Sequence, residues 1–507
     1  MPPDLTAHEP ARDLPLVGEH DVVVVGGGTA GVMAAIGAAR VGRGTSPRPT
    51  VCLIERCGNV GGAVNMGLMG HFGNRFITED GRPIVGGAPL ELFDRVIAAG
   101  ATPYASRQEA FAAGHSMFYR HEHAGQICLE MLQEAGVELW LHSRFSRAQV
   151  APDGSLEVFF ETNGGRVAIR ARQLVDCTGG AEAAASLGAP LATGGHKSWG
   201  LLFEMGLVDL ERYITWVDSL PEEDPEWDAW LARTLHMTPE EIAQDTYWGE
   251  WLDGRRRAWP FRPVLRQAVD AGDLTLIRDL PDGGQIRYGW DGFWPEPWHG
   301  ADDVTANVCM VTGLDPSAPR AATQAEIAAR TYAFEFLAFL RQYMPGFERA
   351  VIRTMGAQTM PRGGREIIGE ARLADRSGEP LDQREDVVAL AGGKQAVGLP
   401  LGMFVPQGIE KVLVAGKCAC DGYSVRASVT CMAAGYSCGI LAAMAARKGV
   451  TPLALEPASR RAELARHGAM LTPGEPPDEP YRMIWEKRPG VPDFDADDGA
   501  KRAKKLS

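Results

Sequence analysis

Gly26, Gly28 and Gly31 form G-x-G-x-x-G, and Glu55 follows them after a gap of roughly 20 residues. These residue types at this spacing suit the holding of a dinucleotide. Gly26 permits a sharp turn out of a strand, Gly28 leaves bare backbone for a pyrophosphate, and Gly31 lets the next helix approach that strand. The N–H groups and partial positive charge at the helix start receive phosphate. Glu55 offers a carboxylate to the ribose hydroxyls of an adenosine. A lone G-x-G-x-x-G is often only a loop, so the neighbouring elements decide.

Those elements are present. Val22 to Val25 is a β-branched run, as in a strand buried on both faces of a parallel sheet. Val32 to Val41 is small and apolar, fit for a helix packed tightly on it. Val51 to Ile54 is the second strand, and Glu55 ends it. Strand, glycines, helix, strand and terminal acid together make a complete dinucleotide-binding unit.

The 507 residues are enough for two or three structural units. A net charge of −14 argues against a general nucleic-acid or anionic-membrane binder. The nine cysteines have no framework spacing, which suits buried thiols in a reducing compartment and a cytoplasmic location. The N-terminus is acidic and Pro-rich and has no basic region before an apolar stretch. It is therefore no signal peptide, and residues 1–18 are expected to be a flexible leader. Val429 to Ala446 is the one membrane-like run. Its Thr430, Gly435, Tyr436, Ser437, Gly439 and alanines point instead to a buried core helix.

Along the chain, the segment R-C-G-N-V-G-G-A-V-N-M-G-L-M-G-H-F-G after Glu55 is too Gly-rich for a regular element. Helices are expected over 88–100 and 121–136. His121 and His123 lie two apart on the second, so they face different ways and would not chelate one metal; solvated or capping roles are expected. Strands at 138–141, 145–150, 156–162 and 166–171, with P-D-G and N-G-G turns, suggest an antiparallel meander. A buried strand at 174–177 then ends in T-G-G.

From 196 to about 330 the chain is dense in tryptophan: Trp199, Trp216, Trp227, Trp230, Trp248, Trp251, Trp259, Trp290, Trp294 and Trp298. This is either a cap over a substrate or a unit whose tryptophans fill its own core. An amphipathic helix over 325–344 stops at Pro345-Gly346. Arg362 and Arg365, with two glycines, precede a strand; such guanidinium groups suit an anion or a polarised carbonyl, or else structural salt bridges. Val412 to Gly416 is the last core strand. Cys418 and Cys420 have no second pair nearby, and zinc needs about four ligands, so no metal is expected. A helix starting near Thr430 aims its positive end at whatever lies before it. One further helix is expected at 458–467, then a flexible tail.

Several segments resemble the FAD-dependent oxidoreductase family related to fumarate reductase and glutathione reductase flavoproteins. They are Gly26-Gly27-Gly28-Thr29-Ala30-Gly31, Asp176-Cys177-Thr178-Gly179, Arg362 and Arg365 before Ile367 and Gly369, Val414-Ala415-Gly416-Lys417-Cys418, Ser424-Val425-Arg426 and Thr430-Cys431-Met432-Ala433. The matches run from about residue 20 to 450 in the family's order. Two departures stand out. The family usually continues T-G-D-G-D after the middle strand, whereas here Gly180-Ala181-Glu182 follows Gly179, and the segment from Cys418 to Arg426 is short and lacks a histidine, with Tyr423 in its place. The redox cysteines of disulfide reductases are replaced by Val64 and Met69, so no thiol–disulfide mechanism is expected, and Cys57 reads as a packed thiol. The halogenase motif W-x-W-x-I-P is absent from the sequence.

The expected fold is α/β: a Rossmann-like FAD-binding domain with a parallel sheet and β-meander, plus an inserted α+β cap. The expected division is 19–195 and 346–450 for the FAD domain, 196–345 for the cap and 451–507 for a C-terminal helix and tail. Pattern and resemblance together assign FAD to Gly26, Gly28, Thr29, Ala30, Gly31, Glu55, Arg56, Gly61, Gly62, Ala63, Thr178, Gly179, Asp421 and Thr430, with the backbone near Phe145 for the adenine. FAD is expected to be non-covalent, because no histidine or cysteine attachment motif occurs. The implied reaction moves a hydride between a small organic substrate and the flavin. His71, in the flavin-wrapping loop, is assigned the proton, its alternative being a structural histidine. Arg362 and Arg426 are assigned an anionic or carbonyl oxygen, with Arg365 and Tyr423 as reserves. An NAD(P)-dependent dehydrogenase without flavin has no use for the late A-G-K-C and T-C-M-A segments. A non-catalytic FAD-binding scaffold is favoured only by the altered T-G-G-A.

Overall fold

The structure, a computed structural model, describes residues 7, 12–42, 47–72, 76–112, 118–194, 198–220, 225–244, 262–281, 283–288, 293–295, 303–373, 379–392 and 395–475. In chain order the elements that matter are β1 (Leu16–Val25), α1 (Thr29–Arg40), β2 (Val51–Ile54), α2 (Gly87–Ala98), α3 (His121–Ala135), β3 (Glu138–Trp140), β4 (Arg144–Val150), β5 (Leu156–Thr162) and β6 (Gly165–Asp176). They continue with β7 (Leu191–Gly194), β8 (Ser198–Gly206), β9 (Ile277–Asp279), β10 (Gln285–Tyr288), β11 (Phe293–Pro295), β12 (Val304–Thr312), α4 (Ala321–Tyr343), β13 (Val351–Met355), β14 (Met360–Pro361) and β15 (Gly364–Ile367). The last are β16 (Val387–Ala391), β17 (Val397–Pro400), β18 (Val412–Val414) and α5 (Ser428–Lys448).

The first sheet has seven strands in the order β3-β2-β1-β6-β5-β4, with β18 also on β6. Its β1–β2, β2–β3, β1–β6 and β6–β18 pairs are parallel, and the β4–β5–β6 side is an antiparallel meander. The runs expected as two strands, 166–171 and 174–177, are one strand. No Gly or Pro breaks the chain between them, and Gln173 stays in register opposite Val22. β6 therefore belongs to both halves of the sheet: Leu156↔Ala171 ties it to the meander and Val414↔Asp176 to the parallel side. Residues 16–18, expected to end a flexible leader, instead open β1, where Leu16 pairs with Ala168.

α5 explains its own composition. A Cβ on Gly435 would stand 2.1 Å from the Ala30 carbonyl oxygen, and one on Gly439 1.9 Å from that of Ala34. The two helices thus cross backbone to backbone, which only glycine permits. By length and hydropathy α5 would span a membrane, yet 94% of its apolar window is buried in protein.

The second sheet runs β13-β8-β12-β10-β9, with β11 on β12 and β14 on β8. Alternation along β8 sends Trp199, Leu201, Phe203 and Met205 into one core with Phe336 and Leu340 of α4. This sheet reaches past residue 345, the expected end of the insertion. β13 and β14 both pair with β8, which needs an antiparallel partner on its outer edge. Trp199, Trp227 and Trp230 are buried in this core. Trp248, Trp251, Trp259, Trp290 and Trp298 lie outside the described residues, as do residues 1–6 and 8–11 of the expected leader and the chain after 475.

Candidate active site

β1 ends at Val25, and Gly26 turns the chain with φ 97°. A Cβ there would stand 2.5 Å from the Cys177 carbonyl oxygen, so both dihedral and space demand glycine. At Gly31 a Cβ would lie 1.8 Å from the Gly26 carbonyl oxygen, and its absence lets α1 start directly against β1. Gly28 differs from both. Its φ is −70°, and an added Cβ meets nothing within 4 Å. No contact within the protein requires glycine there; the open space lies at the N-cap of α1.

Gly61 and Gly62 close over the same turn. The Gly61 amide donates to the Gly27 carbonyl at 2.8 Å, and a Cβ on Gly62 would be 2.9 Å from the Gly28 Cα. Ala63 continues a short 3-10 turn over Gly62–Val64, and its carbonyl accepts from the Met69 amide at 3.0 Å. Glu55 is 7% exposed. Its Oε2 accepts from the Gly27 amide at 2.5 Å and its Oε1 from the Cys57 amide at 2.8 Å, so backbone donors fix the carboxylate at the end of β2. The Ser143 amide donates to the Glu55 carbonyl at 2.9 Å, which brings the start of β4, with Phe145 two residues on, to this edge. Arg56 is exposed and donates to Gln358 Oε1 at 2.9 Å, linking the first sheet to the segment between β13 and β14.

The D-C-T-G segment is organised by Asp176, which is fully buried. Its carboxylate accepts from the Thr178 amide and hydroxyl (3.0 and 2.7 Å) and from the Ala183 and Ala184 amides (both 2.9 Å). Burial pushes its pKa up against the pull of those donors. Gly179 follows with φ 75°. Its carbonyl accepts from Lys417 Nζ, and the same ammonium donates to the Gly363 carbonyl at 3.1 Å. Lys417 thus ties the T-G-G turn to the R-G-G-R segment, and burial pushes its pKa down.

α1 and α5 run in the same direction, since Ala30 meets Gly435 and Ala34 meets Gly439. Their N-termini therefore point to the same end of the sheet, where positive partial charge from both adds. Thr430 is buried in the first turn of α5, and Arg426 sits two residues before that helix. Asp421, with φ 52°, accepts from Arg372 Nη2 at 2.6 Å and the Leu373 amide at 2.9 Å; although burial opposes it, these donors hold its carboxyl below the usual range. Its partners are thus structural ones. Burial pushes the thiols of Cys418 and Cys431 up to about 12 and that of Cys177 well above its ordinary value, as in packed thiols. The thiol of Cys57 is raised by burial and by Glu55.

The other face of β8, away from its core, sets polar groups at either side of buried Leu202 and Met310. Glu204, Thr305 and Asn307 are all buried there, with Thr305 paired opposite Glu204. Arg362 Nη2 donates to Asn307 Oδ1 at 3.3 Å and lies over Gly200. This face meets the glycine-rich loop. The Ala357 amide donates to the Met66 carbonyl at 2.8 Å, and Met360 fills the space above Gly67. His71 bridges to Phe118, with its ring edge-on to that phenyl at 6.4 Å, next to Tyr119, whose amide donates to Gly70 at 2.9 Å. Arg365 stands apart from Arg362, on β15 beside Gly180. The Tyr423 side chain lies outside the described residues.

His121 departs from its expected solvated or capping role. It is 5% exposed, with Nε2 2.9 Å from Glu122 Oε1 and Nδ1 3.2 Å from Glu204 Oε1. The start of α3 is covered by the second sheet, which a one-helix reading could not foresee. Sequence reasoning also passed over Asp176 and Lys417 as site-building residues. Each stood inside a quoted motif, and a charge flanked by V and C or by G and C in an apolar strand end was the available signal.

The model of the FAD dependent oxidoreductase family matches residues 21–394 and 391–464. No curated protein matches the chain. Among solved structures, the anhydrotetracycline hydroxylase OxyS of Streptomyces rimosus is similar at 13% identity and TM-score 0.39, over 89% of this chain; the chain spans 66% of the hydroxylase's length. A geranylgeranyl bacteriochlorophyll reductase-like protein of Thermoplasma acidophilum is similar at 12% identity and TM-score 0.39, over 97% of this chain and 100% of that one. The p-nitrophenol 4-monooxygenase PnpA of Pseudomonas putida is similar at 11% identity and TM-score 0.38, over 96% and 92%. Those activities are properties of those proteins. With the family model matched along nearly the whole described chain, this protein belongs to the FAD-dependent oxidoreductase family and is an enzyme of that class.

Proposed function

We propose that this enzyme transfers a hydride between a small organic substrate and a non-covalently held FAD, with the substrate seated against the polar face of the second sheet. The observation that carries this reading is the convergence, at one end of the first sheet, of the open space at Gly28, the fixed Glu55 carboxylate and two helix N-termini. FAD fits these residues by chemistry: bare backbone amides and helix ends suit a pyrophosphate, and a buried carboxylate held by backbone amides, with no cationic partner among the described residues, suits ribose hydroxyls. When bound, the flavin supplies the two-electron redox chemistry.

The chain's own residues then have distinct tasks. Gly26 to Gly31 and Gly61 to Gly62 bind the pyrophosphate, with Thr29 and Ala30 contributing helix-start amides. Arg56, Ala63, Thr178 and Gly179 border it, and Asp421 shapes the turn before α5 through Arg372. The start of α5 at Thr430, with Arg426 beside it, favours negative charge. Arg362, oriented by Asn307, holds an anionic or carbonyl oxygen. His71 carries the substrate proton at its imidazole. A reducing, cytoplasmic setting suits the eight free cysteines among the described residues.

The test is anaerobic. Purified protein should be yellow, release its FAD on denaturation, and bleach with one member of a panel of alcohols, amines and saturated acids, or, after reduction with dithionite, regain its colour with an unsaturated acid. His71→Ala should slow that step by about a hundredfold to ten-thousandfold with FAD retained. Arg426→Ala should weaken substrate binding or slow the step without flavin loss. Wild-type traces from both variants would remove this assignment of roles.

A further inference from the structure

The Glu122–His121–Glu204 cluster has no part in the mechanism above, yet it lies on the same polar face. His121 is the first residue of α3, and Tyr119, two residues earlier, is held to Gly70 of the glycine-rich loop. Glu204 is on β8, among residues of the other lobe. The imidazole therefore joins the two lobes through a buried carboxylate, with Nδ1 3.2 Å from Glu204 and Nε2 2.9 Å from Glu122. Both ring nitrogens lie within hydrogen-bond distance of a carboxylate oxygen, so Nδ1 can donate to Glu204. That hydrogen bond orients the Glu204 carboxylate on this face.

Along this face the polar groups form a strip with opposite ends. Glu204 and Gly200 are four residues apart on β8, a separation of roughly 13 Å. Arg362 lies over Gly200, Thr305 pairs opposite Glu204, and Asn307 binds Arg362 between them. A carboxylate marks one end and a guanidinium the other. Between those ends the face is apolar, with Leu202 beside Met310, which pairs opposite Gly200.

We propose that Glu204 is a substrate-recognition residue, positioned by His121, and that the enzyme selects an acid whose chain carries a hydrogen-bond-donating head, a hydroxyl or an ammonium, several bonds from the carboxylate. The head donates to Glu204, and the carboxylate lies toward Arg362 and Asn307. This rests on the seating of the substrate on the polar face proposed above. It adds the substrate's two-ended character and places its recognition on residues of both lobes.

Hexanoate, 6-hydroxyhexanoate and 6-aminohexanoate are the probes, titrated calorimetrically into the FAD-loaded enzyme. One hydrogen bond to a charged group contributes about 1.5–3 kcal/mol, so one or both donor-bearing acids should bind about ten- to a hundredfold more tightly than hexanoate. The two donor arms tell hydroxyl from ammonium selection. Glu204→Gln, isosteric and uncharged, should shrink the ratio between the preferred acid and hexanoate toward one. His121→Phe should lose the preference, and His121→Asn, whose amide nitrogen can stand where Nδ1 does, should keep it; a merely structural histidine would change melting temperature and flavin content without moving that ratio. Equal binding of the three acids by wild type, no binding of any of them, or a preference unchanged in Glu204→Gln overturns the proposal. Flavin content and bleaching, read on the same samples, report separately on the redox reading.

Discussion

Replacing Gly28 with alanine should leave the fold alone and remove the cofactor. The structure separates this glycine from its two partners in the motif. At Gly26 a side chain meets φ 97° and a carbonyl oxygen 2.5 Å away; at Gly31 it meets one at 1.8 Å. Each would strain the start of α1 in the apoprotein, by about 1–3 kcal/mol from an unfavourable dihedral or overpacking. At Gly28 the backbone is ordinary for any residue and the space is open. The apoprotein should therefore be as stable as wild type, or gain up to about 1 kcal/mol from a stiffer unfolded chain. The added methyl instead occupies the pyrophosphate's place. Loss of two amide contacts to charged oxygens, at about 1.5–3 kcal/mol each, comes to about 3–6 kcal/mol, or a weakening of FAD binding by about a hundredfold to ten-thousandfold. Flavin absorbance of the purified variant, fluorescence titration with FAD and thermal melts of the stripped protein measure both sides. Full flavin occupancy in Gly28→Ala would show that the pyrophosphate lies elsewhere. A large fall in apoprotein stability would show that the space is not open.

Gly435→Ala and Gly439→Ala should each destabilise the protein by about 1–3 kcal/mol, because the methyls would meet the Ala30 and Ala34 carbonyls at 2.1 and 1.9 Å; unchanged denaturant midpoints would contradict the close crossing. Lys417→Met keeps length but leaves the Gly179 and Gly363 carbonyls without their donor, at about 1–3 kcal/mol each, offset in part by relief of a desolvated charge. FAD affinity should fall at least tenfold, and equal affinity by titration would show that the clamp does not serve the cofactor. Glu122 is held down to about 2 by its hydrogen bond from His121, against an ordinary value of 4.5. Its contribution is present above the ordinary value and fades as pH falls toward the lower one. Because its side chain is 69% exposed, the amount is below about 1 kcal/mol. Glu122→Gln should flatten that part of the acid melting profile, and superimposable profiles would rule the pair out.

The first lobe was legible because its signals are local. Val22 to Val25, the three glycines, Val51 to Ile54 and Glu55 lie within one short stretch, and each residue type has a steric or electrostatic reason that needs no distant partner. α5 was legible for a related reason, since Gly435 and Gly439 in an alanine-rich run announce a backbone-close neighbour even before α1 is known as that neighbour. Boundaries were less legible. β6 reads as two strands because Arg172 and Gln173 interrupt its apolar pattern, and only the register with β1 shows that the chain runs on. The second sheet's extent depends on β8 recruiting β13 and β14 from beyond α4, a pairing of segments far apart in sequence.

The polar face shows why a substrate is harder to read than a cofactor. In S-W-G-L-L-F-E-M-G the alternation assigns Trp199, Leu201, Phe203 and Met205 to one side, so Glu204 must lie on the other. That much is in the sequence. What covers the other side is not, because His121 comes from a helix 83 residues earlier and Arg362 from a segment far later. Period-two patterning fixes which face a residue occupies and says nothing about which lobe closes over it. A buried carboxylate on such a face is costly unless hydrogen-bond donors meet it. Glu204 alone in an otherwise apolar strand was therefore already a demand for a partner. The structure answers that demand with a histidine from the cofactor lobe. The same cofactor cradle can then serve many substrates, with selection left to a few charges where a second sheet meets the first lobe.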